Sequence, residues 1–460
     1  SGMAKAKEDM VIVDTVSYEN LRAGRKYKIT GILMDKETGR AVLDDHGSKI
    51  EAETTFTAKT ASGTVEVIFR FSGRGLSGKT LVAFETLKKD NKEYAVHHDI
   101  TDEAQTVSIP KIGTTVSDND TKSHISCAAS QVTLTDEVKY EKLQTGKEYL
   151  LKGTLVNPKT KKEATDAGGT PITAQSRFIP SKENGSVEVT FHFDGSRLAG
   201  ETLVVFEELL YGGKVIAEHK DTEDEGQTVY FPSIKTEASD KETGKGISYA
   251  EERVLIEDVV HYENLIPGKK YTVQGVLKDQ DDGEALRDAK GKEITAKREF
   301  TAKDAEGEVT VVFEFDGSLL EGKTAVAFEE LFTEKKRIAV HADIHDEAQT
   351  IEFPKIRTQA ADPRTGINLT MASDEITVVD RVSYEHLIPG CGYRLKGMLM
   401  EKSTGEPAVD SKGRRLQADT EFVAKGNEGT VELEFRFSGK DMESRTFVVF
   451  EELSIEKSWF

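Results

Sequence analysis

A histidine, an acid five residues on and a glutamine three residues after that recur three times in this chain. The sets are His97, Asp102 and Gln105; His219, Asp224 and Gln227; and His341, Asp346 and Gln349. Each glutamine is followed by threonine and an apolar residue. Ten histidines are scattered along the chain, and only this column holds histidine in more than one copy. Histidine is a base near neutral pH, and a carboxamide becomes an acyl donor once its oxygen is polarised. Taken singly, each residue has an ordinary role: a surface histidine, a turn aspartate, a strand glutamine. Recurrence in register points instead to chemistry on the glutamine side chain.

Two further columns supply what that chemistry needs. Glu85, Glu207, Glu329 and Glu451 each close a Val-(Ala or Val)-Phe-Glu segment. A carboxyl inside an apolar strand is tolerated when paired or protonated, and a protonated one can polarise a carboxamide oxygen. Asp224 beside Glu207, and Asp346 beside Glu329, are expected to form such shared-proton pairs. The hydroxyl comes from Thr114, Thr236 and Thr358, each in Pro-x-Ile-x-Thr with an aspartate four residues on. A threonine hydroxyl is a poor nucleophile until a base removes its proton. Threonine is also common in strands, so this column is weak by itself.

These columns must be positioned by something, and the chain repeats. Tyr18, Tyr140, Tyr262 and Tyr384 are 122 residues apart (140 − 18 = 122), and the other columns keep that step. The period suits a tandem globular domain, not a solenoid. Repeats are expected at 1–109, 110–231, 232–353 and 354–460, with Pro110, Pro232 and Pro354 at the seams. Within a repeat the pattern is β. Val65, Val67, Phe69 and Phe71 alternate with Glu66, Ile68 and Arg70, and the same alternation returns at Val187–Phe193 and Val431–Phe437. Alternation of this kind gives a strand with one face on a core. Seven to nine short strands per repeat predict an all-β chain of four immunoglobulin-like sandwiches. Seams this short predict a stiff, extended rod. An unbroken strand would put His219 and Gln227, eight apart, on one face, whereas the odd-spaced Asp224 needs a bulge or turn to come round.

Composition excludes several function classes. Lys plus Arg is 62 and Asp plus Glu is 82, a net charge of −20, which disfavours nucleic acid and anionic membrane as partners. No apolar run approaches a membrane span. The opening Ser-Gly-Met reads as a cloning remnant, leaving targeting segments an open question. Two cysteines at unrelated repeat positions, Cys127 and Cys391, make a disulfide framework unlikely, so an extracellular chain would need another staple.

With Val-Ala-Phe-Glu or Val-Val-Phe-Glu, the His-x4-Asp-x2-Gln frame and the early threonine all present, the chain resembles the Thr–Gln ester-bond domains. These are the VaFE repeats (Cna-B-like sandwiches) of Gram-positive surface adhesin stalks. The resemblance implies an autocatalytic ester from the threonine of the first strand to the glutamine of the last, with loss of ammonia. Carried over, Thr114 joins Gln227 with His219, Asp224 and Glu207 serving, and Thr236 joins Gln349 with His341, Asp346 and Glu329. It further implies a cell-wall-anchored extracellular protein, a structural role without turnover, no cofactor or metal, and a monomer. Its partners would be neighbouring repeats, with host ligand bound by a separate tip domain.

The outer repeats depart from the pattern. The counterpart of Thr114 in repeat 1 would fall at 114 − 122 = −8, leaving Glu85, His97, Asp102 and Gln105 as a half-site. Repeat 4 has Thr358 and Glu451, while its His and Gln would fall at 463 and 471, past the last residue. Such open repeats are expected to accept the missing strand from another molecule. Alternatives are a stalk with Lys–Asn isopeptide bonds, disfavoured by the lack of a recurring Lys–Asn pair, and a ligand-binding module, disfavoured by units without private insertions. A hydrolase is the third, disfavoured by the absence of a shared cleft.

Overall fold

The computed structural model describes residues 2–456. It forms two compact units, Ser1–Pro232 and Ser233–Phe460, each holding two repeats. Regular structure is β almost throughout; among the described residues the only helical segments are the 3-10 turns Glu225–Gln227 and Glu347–Gln349.

Repeat 2 shows the plan. One sheet runs Lys111–Asp118, Val132–Glu141, Gly185–Phe193, all antiparallel. The other centres on Tyr149–Asn157 paired with Thr202–Tyr211, flanked by Thr173–Phe178 and Lys214–His219, with Thr228–Tyr230 also on Thr202–Tyr211. The alternation explains the layers. Val189 and Phe191 point inward while Glu188, Thr190 and His192 face solvent. Leu134, Val138, Tyr149, Leu151, Leu155 and Leu203 close the core between the sheets. Repeat 3 has the same arrangement, with Ser233–Asp240, Val254–Glu263 and Gly307–Phe315 in one sheet and Lys270–Asp279, Lys323–Thr333, Lys336–His341 and Thr350–Phe353 in the other.

The turn that the spacing of Asp224 requires is present. His219 and Gln227 do not share an unbroken strand: the strand Lys214–His219 ends at His219, and Gln227 closes a 3-10 turn. Asp224 is the reason. Its Oδ1 accepts the Gly226 N–H at 2.8 Å and caps that turn, a local bond that competes with the sheet ladder. Asp346 does the same for the Ala348 N–H at 2.9 Å.

Candidate cross-linking site

The two sheets bring the columns together in the middle of each complete repeat. Along Lys111–Asp118 the inward residues are Ile112, Thr114, Val116 and Asp118, so Thr114 is buried in apolar company. Across the gap, Glu207 stands in register between Gly153 on one neighbouring strand and His219 on the other. Gln227 is fully buried and reaches over to the first strand, where its Nε2 donates to Thr114 Oγ1 at 2.9 Å. In repeat 3, Gln349 Nε2 donates to Thr236 Oγ1 and, at 2.5 Å, to Glu329 Oε2. Thr236 Oγ1 donates to the same Glu329 oxygen at 3.1 Å. His219 Nε2 bonds Asp224 Oδ2 at 2.8 Å, and His341 Nε2 bonds Asp346 Oδ2 at 2.8 Å. Each of these aspartates therefore does two things with two oxygens: one caps the turn carrying the glutamine, the other holds the histidine ring.

That arrangement corrects the acid pairing. Asp224 and Asp346 belong to their histidines, and the partners of Glu207 and Glu329 are Asp136 and Asp258 from the middle strand of the other sheet. Asp136 and Asp258 are fully buried; none of their oxygens has a partner at ideal geometry, though the backbone N–H groups of Thr115 and Glu237 lie close. Two bare carboxylates would repel there; one shared proton supplies the missing donor. Burial first, then the charge of Asp136, pushes the Glu207 carboxyl up to about 10. Burial, with Asp258 hydrogen-bonded beside it, does the same to Glu329, also to about 10. Asp14, Asp136, Asp258 and Asp380 keep the 122-residue step and sit at the inward phase of their strand, between apolar residues such as Leu134 and Val138. An acid at a core-facing phase in every copy was the available signal.

A pH dependence follows. The folded repeat holds a proton that the unfolded chain gives up in the ordinary glutamate range, so the raised carboxyl stabilises the fold fully below that range. This contribution is lost as pH rises towards 10. A Thr236→Ala chain, which has no ester to mask the effect, is expected to lose protection of its repeat 3 core amides steadily from weakly acidic to alkaline pH. Hydrogen exchange measures this; protection that is flat across that range would show the pair to be ionised already.

The half-sites are built alike but stand open. In repeat 1, Gln105 Nε2 donates to Glu85 Oε2 at 2.5 Å, and His97 Nε2 bonds Asp102 Oδ2 at 3.0 Å. Burial and Asp14 push Glu85 up to about 8. The His97 side chain is 51% exposed, against 26% for His219 and 22% for His341. In repeat 4, Thr358 is exposed, and burial with Asp380 pushes Glu451 up to about 8.

The sequence profile of the family described as "T-Q ester bond containing domain" matches residues 1–109, 110–231, 232–353 and 354–458. The chain belongs to this family. Its four T-Q domains share with solved structures only a weak likeness. A bacterial adhesin from Mobiluncus mulieris containing intramolecular disulfide, isopeptide and ester bond cross-links is 14% identical, with a TM-score of 0.23, over 56% of this chain and 88% of that one. The tetra-tandem repeat in the extending region of a large adhesion protein is 10% identical, with a TM-score of 0.18, over 95% and 93%. No curated protein matches.

Proposed function

We propose that repeats 2 and 3 each close on themselves through an ester between Thr114 and Gln227 and between Thr236 and Gln349, and that the chain is a load-bearing stalk segment of an extracellular adhesin. The observation that carries this reading is the buried contact of a threonine hydroxyl with a glutamine side chain 113 residues away, beside a buried pair of carboxyl groups. No turnover is involved. The reaction is Thr–OH plus Gln–CONH2 giving the ester plus ammonia, once per repeat.

Each group has a task. The histidine takes the hydroxyl proton as oxygen attacks the glutamine carbonyl carbon, and later delivers a proton to the departing ammonia. Its aspartate fixes the ring. Gln349 Oε1 is buried with no donor, and its Nε2 faces Glu329. A half-turn of the amide exchanges the two atoms and places Oε1 against the Glu329–Asp258 proton, which then stabilises the developing oxyanion. Burial keeps water from competing as nucleophile and from hydrolysing the product. A covalent tie between the first strand and the last lets a pulling force pass through bonds without shearing the core.

His341→Ala is expected to leave repeat 3 folded and slow its bond formation by roughly 10²–10⁴-fold, the usual worth of a positioned base. Digestion followed by mass spectrometry reads the outcome. A Thr236–Gln349 linked peptide at wild-type yield and rate would make His341 structural.

A further inference from the structure

In all four repeats a glycine stands opposite the central glutamate. Gly31, Gly153, Gly275 and Gly397 are in register with Glu85, Glu207, Glu329 and Glu451. None has a left-handed φ, so their backbone conformation is open to any residue. Glycine within a strand weakens it unless something approaches closely. Here something does. A Cβ added at Gly153 would stand 2.4 Å from Glu207 Oε1 and 2.5 Å from Phe191 Cζ. At Gly275 it would meet Phe313 Cζ at 2.5 Å, and at Gly31 Phe69 Cζ at 2.6 Å. At Gly397 it would meet Leu433 Cδ2 at 2.3 Å and Phe435 Cζ at 2.8 Å. Phe191 and Phe313 are fully buried. The edge of an aromatic ring and, in repeat 2, the glutamate carboxyl itself share the slot that the absent side chain leaves.

We propose that Gly153 with Phe191, and Gly275 with Phe313, are positioning residues for ester formation: the glycine opens a slot, and the ring fills it as an apolar wall beside the glutamate carboxyl. The wall acts through Glu207 and Glu329. It presses each carboxyl towards its aspartate and bars water from that side, and a dry carboxyl keeps its proton. The raised affinity of Glu207 for its proton, caused first by burial, agrees with this. The inference rests on the cross-link reading and adds to it two groups that touch neither reacting atom.

The test follows ammonia loss by intact mass during cell-free synthesis, from weakly acidic to alkaline pH, for Phe191→Leu, Gly153→Ala and the double variant. Repeat 3 is unaltered in each molecule and serves as an internal control. Phe191→Leu should admit water and move the alkaline fall-off of the repeat 2 bond to lower pH. The rate at a fixed pH on that limb should drop about tenfold for each unit moved. Gly153→Ala should slow the repeat 2 bond at every pH, and adding Phe191→Leu should recover part of the loss, because the shorter side chain removes the methyl's clash with the ring while the contact with Glu207 Oε1 remains. A Phe191→Leu profile superimposed on wild type overturns the proposal, as does a double variant no faster than Gly153→Ala. Should Gly153→Ala fail to fold, the Phe191→Leu profile decides. Retention of ammonia by repeat 3 as well would sink the cross-link reading itself, a distinct result.

Discussion

Replacing Thr114 and Thr236 with alanine is expected to leave four folded repeats and to cost repeats 2 and 3 about 4–5 kcal/mol each. The proposed ester would close 349 − 236 = 113 residues in repeat 3 and the same number in repeat 2. By the loop-entropy argument a cross-link over such a length removes that much freedom from the unfolded chain. For domains of this size the midpoint of thermal unfolding should fall by roughly 20 °C or more. The lost hydrogen bonds are small beside this. Calorimetry and limited proteolysis of wild type and variant measure the difference. Repeats 1 and 4, which the substitutions do not touch, should unfold as they do in the wild type.

Asp258→Asn should stop ester formation in repeat 3 while repeat 2 proceeds. The substitution keeps shape and burial but removes the carboxyl whose hydrogen bond and charge, after burial, raise Glu329. An asparagine amide donates to Glu329 without offering an acid to the Gln349 oxygen. Loss of one oxyanion donor costs about 10²–10³ in rate. The chain should therefore weigh one ammonia less than its sequence, where the wild type weighs two less. Repeat 2 acts as the control for folding and for reaction conditions. Asp136→Asn should give the mirror result, with repeat 2 open and repeat 3 closed.

Much of this was legible in the residues. The 122-residue step exposed the tandem domains, and the alternation along Val187–Phe193 predicted a strand with one buried face, as found. Thr114 and Gln227 meet in the core, and His219 meets Asp224 beside the turn that carries the glutamine. What stayed hidden is non-local. Asp258 and Glu329 lie on different sheets, 329 − 258 = 71 residues apart, so no motif spacing joins them, and the nearer Asp346 looked like the partner. The odd spacing of Asp224 called for a bulge or turn, and the capping aspartate makes a 3-10 turn there, after the strand has ended at His219.

The most direct measurement is the intact mass of the purified chain, followed by digestion. The predicted result is a mass two ammonia molecules below that of the sequence, with linked peptides containing Thr114 and Gln227, and Thr236 and Gln349. A mass equal to that of the sequence, with all four residues recovered in unlinked peptides, would contradict ester closure of these repeats.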